Sequence, residues 1–131
     1  MMRTLLGAML VMLTLASVVP AHAASFDCAK ASTAFEHAIC DNPKLSDADD
    51  TLAIAFATAV GGLSKSAVNA MRAEQRDWLD FAAKSCTDDA QLLPDAARYD
   101  DEQIDCLNLA LTARMGGLEQ SRMLGGHRFA V

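Results

Sequence analysis

Four cysteines, Cys28, Cys40, Cys86 and Cys106, constrain this 131-residue chain more than any other feature. They follow a segment that reads as an export signal. Arg3 supplies a positive start, Leu5 to Val19 is apolar and uncharged, and Ala21-His22-Ala23 is a small-x-small cleavage site. The apolar run is short for a spanning helix and a good cleavage site follows it. Cys28 stands behind Ser25-Phe26-Asp27 and outside any lipid-attachment pattern. The expected domain plan is a signal peptide at 1–23, a helical domain at 24–124 and a loose tail at 125–131. The mature product is then free of the membrane, in a periplasm or outside the cell.

Removing 23 of 131 residues leaves 108, enough for one domain with a modest core. An even number of cysteines behind a signal peptide reads as a disulfide framework. Four cysteines allow three connectivities. Their order, an early pair and a late pair, favours Cys28–Cys40 and Cys86–Cys106. Reach permits the first bridge: five extended residues from Cys28 to Thr33 span about 16 Å, and a helix from Thr33 to Cys40 covers about 10 Å. The second would pin together the two ends of a loop.

The helical pattern is legible throughout. Thr33-x-x-Glu36 is a capping box: the threonine hydroxyl can accept from the Glu36 amide while Glu36 reaches back. Asp41-Asn42-Pro43 stops that first helix. Ser46, with Asp49 three residues on, predicts a second helix over about 47–60 with the stripe Leu52, Ala55, Phe56, Ala59, ended by Gly61-Gly62. Ser64 or Ser66 opens a third to about Ser85, with the stripe Val68, Met71, Gln75, Trp78, Leu79, Ala82, Cys86. Gln75 is polar inside that stripe and needs a partner, expected to be an open helix-end carbonyl. Residues 87–99, with Pro94, read as a loop. A fourth helix starts near Asp100, with Gln103 completing its cap, along Ile104, Leu107, Leu111, Met115, Leu118. Gly116-Gly117 is expected to bend or end it. No stretch alternates with period two, so the fold class is an all-α, disulfide-stapled bundle of about four helices. The second and third helices are expected to pair antiparallel.

Charge is concentrated. All 17 acids and 10 of the 11 bases lie beyond residue 23, a mature net charge of −7. Thr87 to Asp105 holds Asp88, Asp89, Asp95, Asp100, Asp101, Glu102 and Asp105 against Arg98 alone, or −6. This excludes nucleic acid as an expected partner and suits a basic protein. The ordinary reading of such a run is a solvated, solubilising loop.

Catalytic and metal patterns are not found. No G-x-S-x-G, C-x-x-C-H or calcium-loop spacing occurs, and only His37 and His127 follow the leader. The expectation is no catalytic residue, no metal and no cofactor.

Three runs of residues together resemble a known family. They are Phe26-x-Cys28-x-Lys30-Ala31 … Glu36-x-x-Ile39-Cys40-x-x-Pro43-x-Leu45, then Asp49-x-x-Leu52-x-x-x-Phe56, then Gln75-Arg76-x-Trp78-Leu79 … Cys86 … Cys106-Leu107 … Arg114-x-x-x-Leu118. The pattern is similar to the LprI-type, lysozyme-inhibitor-like domains of bacterial envelopes and covers nearly all of the mature chain. The resemblance implies a non-enzymatic binding protein whose partner is a basic lysozyme-type hydrolase. An envelope structural or interaction module without inhibitory activity is the alternative. Ala82 and Leu111 depart from the family, which often has Arg and Tyr there. Glu36, Asp49, Gln75, Arg76, Trp78 and Arg114 read as structural motif residues, with Trp78 in the core and Arg76 paired to Asp49. Asp88, Asp89, Asp95, Asp100, Asp101 and Glu102 are the candidate partner-binding residues.

Overall fold

The computed structural model describes residues 24–124 and 127–129; the expected signal peptide and Gly125, Gly126, Ala130 and Val131 of the tail lie outside them. A 3-10 turn at Cys28–Lys30 leads into four helices: α1 (Ala34–Asp41), α2 (Pro43–Val60), α3 (Lys65–Ser85) and α4 (Asp101–Gln120). Two short strands follow, β1 (Arg122–Leu124) and β2 (His127–Phe129), paired antiparallel with Met123 opposite Arg128. The all-α body matches the helical pattern. The hairpin is an addition to it, and its sequence signal is Gly125-Gly126 between two short runs.

Local chemistry explains the helix starts. Thr33 Oγ1 accepts from the Glu36 amide at 3.2 Å, and Glu36 Oε2 accepts from the Thr33 and Ser32 amides at 2.9 and 2.8 Å. The box caps α1 as its spelling implies. Two amide donors hold the Glu36 carboxyl below the ordinary glutamate range. The Cys28–Cys40 bridge then straps the segment before α1 onto the far end of that helix, with the two Cα atoms 5.7 Å apart.

Helix α2 starts earlier than its spelling suggests. Pro43 occupies the first helical position, where a missing N–H is no loss, so α2 begins directly after Asn42 and not at Ser46. Asn42 turns backwards, its Nδ2 donating to the Ala38 carbonyl of α1 at 2.7 Å. Ser46 lies inside the helix and is buried. At the other end Gly62 takes the left-handed backbone (φ 77°) that closes the α2–α3 turn.

The core is small. Ile39, Leu45, Leu107 and Leu111 are its largest fully buried side chains, joined by Leu52, Ala55, Ala59 and Leu118. It lies mainly between α2 and α4, which are each other's chief packing partners. The expected α2–α3 pairing is therefore a minor contact. The reason is in α3 itself: of its 21 residues only Ala82 and Ala83 are fully buried, whereas α4 presents Leu107, Leu111 and Leu118 to α2. Helix α4 also runs unbroken through Gly116 and Gly117 to Gln120, with open space around both glycines.

The end of α3 is fixed by hydroxyl groups. The last carbonyls of a helix have no partner within it. Ser85 Oγ donates to the Ala82 carbonyl at 3.2 Å, the Tyr99 hydroxyl to Ala83 at 2.8 Å and Thr87 Oγ1 to Lys84 at 2.7 Å. Thr87 is buried and its hydroxyl also accepts from the Gln91 amide at 3.1 Å, which folds the start of the loop. Tyr99 is buried at the loop's other end, and that burial raises its phenol pKa.

Two outcomes follow for stability. Glu36→Gln lowers the melting temperature at neutral pH. Because the Glu36 pKa is depressed in the folded state, the gap between wild type and variant closes as the pH falls through that pKa; thermal unfolding over an acid series reads this. Tyr99→Phe leaves the Ala83 carbonyl without its donor and destabilises by about 1 kcal/mol in urea unfolding.

Candidate functional site

The acidic run does not form one cluster; the fold divides it between two faces. Asp88, Asp100 and Glu102 gather with Thr87 and Gln103 around the Cys86–Cys106 bridge and line a shallow polar depression of about 230 Å³. The bridge joins the end of α3 to the second turn of α4, with Cα atoms 5.6 Å apart. Asp100 is itself the N-cap: its Oδ1 accepts from the Gln103 amide at 2.9 Å and Gln103 Oε1 accepts from the Asp100 amide at 3.1 Å. Asp101 and Glu102 occupy the first turn of α4, where the helix dipole favours negative charge. These acids are exposed and their charge is therefore available to a partner.

Asp89 is exposed, and its Oδ1 accepts from the Gln91 amide of the same turn at 3.3 Å. Asp95 lies away from the bridge, on a second and more apolar cavity of about 360 Å³ between the segment before α1, α1, α2, α3 and the loop. Arg98, the one base of the segment, turns toward α1: its Nε is 3.9 Å from Asp41 and its guanidinium donates to the Ala97 carbonyl at 2.8 Å. The loop's only cation is thus spent on holding the loop, and the acids face outward without an internal counter-charge.

The motif residues on α3 and α4 form a separate cluster. Arg114 Nε donates to Gln75 Oε1 at 3.0 Å, its Nη2 pairs with Glu74, and its guanidinium lies 5.4 Å from the centroid of the Trp78 ring. Gln75 therefore finds its partner on α4 and not at a helix-end carbonyl. One planar guanidinium uses its fork on two acceptors and its face on an indole. Trp78 is half-buried against the core rather than enclosed by it. Beside this clamp Phe81 stands 64 % exposed over a groove floored by Ala110, Ala113 and Gly117.

The expected Arg76–Asp49 pair does not form. Arg76 is exposed. Asp49 is only 7 % exposed, and its Oδ2 accepts from the Ser25 amide and hydroxyl at 2.9 and 2.6 Å. Asp49 thus ties the segment around Ser25 to α2. Glu36 stays in its capping box. The two departures from the family pattern, Ala82 and Leu111, are 1 % and 0 % exposed. They are packing positions in this chain, with no access to a partner.

Among the described residues no group of three or more His, Cys, Asp or Glu could hold a metal ion. No helix among them is long and apolar enough to cross a membrane. The Lysozyme inhibitor LprI family model matches residues 27–118. That span takes in both disulfides, the Arg114 clamp and the whole acidic segment.

The chain belongs to the LprI family.

Comparison with curated proteins and with solved structures returned no match. The LprI match ends at Leu118, before the hairpin, so β1 and β2 stand outside the family domain. Within it, the residues most typical of LprI domains in this sequence serve packing, capping and bridging. Sequence reasoning missed Thr87 and Tyr99 as the groups that hold the acidic loop, and Ser25 as the partner of Asp49. A serine or tyrosine in a loop carries no local signal of a distant partner.

The clamp and the exposed arginine separate cleanly by mutation. Arg114→Ala leaves Gln75 and Glu74 without a donor and uncovers Trp78, and costs about 1–3 kcal/mol in denaturant unfolding. Arg76→Ala stays within about 0.5 kcal/mol of wild type.

Proposed function

We propose that this LprI domain is a secreted or periplasmic, non-enzymatic protein that binds and inhibits a basic lysozyme-type hydrolase. The observation that carries the reading is the outward-facing group of carboxylates, Asp88, Asp100, Asp101 and Glu102, fixed at the Cys86–Cys106 junction of a chain in the LprI family. The bridge and two sets of hydrogen bonds hold these acids on helix ends. A rigid acidic face steers a basic partner during encounter and loses little entropy on docking. The export signal at 1–23 and the even cysteine count support an oxidising compartment outside the cytoplasm.

The contact face comprises the polar depression at the bridge and the neighbouring turn with Asp89; Asp95 stands on the other face. Its carboxylates approach the rim of the lysozyme cleft, whose chemistry depends on a carboxyl pair. A module that binds an envelope protein without inhibiting a hydrolase is the second reading. It is favoured by the commitment of Trp78, Gln75 and Arg114 to the α3–α4 clamp, which leaves the family signature specifying a fold more than a target.

An inhibition assay decides between them. Excess oxidised protein slows cell-wall hydrolysis by a basic lysozyme at low ionic strength, and the effect weakens as salt screens the exposed charges. The triple variant Asp88→Asn, Asp101→Asn, Glu102→Gln slows association several-fold with little change in dissociation rate. Unchanged hydrolysis with excess protein at low salt removes the inhibitor reading.

A further inference from the structure

The second cavity differs in kind from the acidic face at the bridge. It holds about 360 Å³ between five parts of the chain, with walls of Phe26, Phe35, Ile39, Leu79, Leu92 and Leu93. Four carboxylates also line it, Glu36, Asp49, Asp80 and Asp95, and no lysine or arginine does. Three of the four are already engaged: Glu36 in its cap, Asp49 with Ser25, and Asp80 with Lys84 at 2.5 Å. Asp95 has no side-chain partner among the described residues and is exposed at the cavity wall. Leu92 beside it is 53 % exposed, an apolar side chain that gains by being covered.

An apolar cavity with an unpaired carboxylate selects for a ligand that carries both characters. A neutral apolar group leaves Asp95 uncompensated, and a small hydrated cation leaves the walls wet. A long side chain with an apolar stem and a cationic head satisfies both. Recognition by a pocket with few, well-placed polar groups is the usual form of such sites.

We propose that this cavity receives one arginine or lysine side chain from a basic protein partner, the stem lying against Leu92, Leu93 and Leu79 and the head at Asp95. The site rests on the reading that the protein binds a basic protein, and gives that reading an anchor apart from the carboxylates at the bridge. Those acids act during approach. The cavity supplies the buried contact that slows departure, as buried anchors do in other interfaces.

The test uses protein exported and oxidised under its own leader. The probes are benzoyl-arginine amide and its uncharged counterpart benzoyl-citrulline amide, followed by amide chemical shifts. The arginine compound causes saturable shifts at Leu79, Ala83, Leu92, Leu93 and Tyr99, and the citrulline compound binds on the order of tenfold more weakly. Asp95→Lys abolishes these shifts, while Asp47→Lys, an equal change of charge on an exposed part of α2 outside this cavity, leaves them as in wild type. Shifts of the same size with citrulline, shifts confined to Asp88 and Glu102, or no saturable shift overturn the site. A basic lysozyme tested on the same samples reads the other question. Cavity shifts with the arginine compound but no lysozyme binding support the site and remove lysozyme as its partner. Lysozyme binding unaffected by Asp95→Lys retains the inhibitor and overturns the cavity as its anchor.

Discussion

Helix α3 is held to this protein by its attachments more than by its buried area. Only Ala82 and Ala83 of its 21 residues are fully buried, while Met71, Trp78 and Leu79 pack half-buried against the core. Its orientation depends on three ties. The Cys86–Cys106 bridge joins its end to α4. Hydroxyls from Ser85, Thr87 and Tyr99 satisfy its last carbonyls. Arg114 grips its middle through Glu74, Gln75 and Trp78. Each tie also places something else. The bridge sets the start of α4, and Thr87 and Tyr99 set the two ends of the acidic loop.

This arrangement also holds the acidic segment in place. The segment from Thr87 to Asp105 carries seven acids against one base, and self-repulsion favours expansion of its loop. It stays folded because its ends are pinned within the core boundary and Arg98 is drawn to Asp41. The carboxylates that face outward are consequently positioned without internal counter-charges. For a small helical body with four large fully buried side chains, covalent and capping ties are the available means of building such a surface.

The two acidic faces have different physical characters. Around the bridge the acids are solvated and joined to helix ends, a setting in which charge acts at long range and is screened by salt. At the cavity, Asp95 adjoins the apolar side chains of Leu92 and Leu93, a setting in which a charge is less screened by water. A contiguous run in the chain is therefore two surfaces in space, because Pro94 and the Thr87 turn fold the loop between them.

What the sequence determined by itself is the set of features governed by near neighbours. The capping boxes at Thr33/Glu36 and Asp100/Gln103 are read from a spacing of three, and the structure forms both. The early and late cysteine pairs bridge as their order favours. The helix stripes, the glycine turn and the family membership follow from the same local rules. Tertiary structure decided the rest. Whether α2 pairs with α3 or α4 depends on which helix brings more large apolar side chains to the interface, and α4 does. Asp49 takes Ser25 and not Arg76, and Gln75 takes Arg114, because a long polar side chain finds its partner by position in space, across 24 and 39 residues of chain. No spacing rule reaches that far: local pattern specifies which face of an element is apolar, and only packing of all the elements brings particular polar atoms within bonding distance.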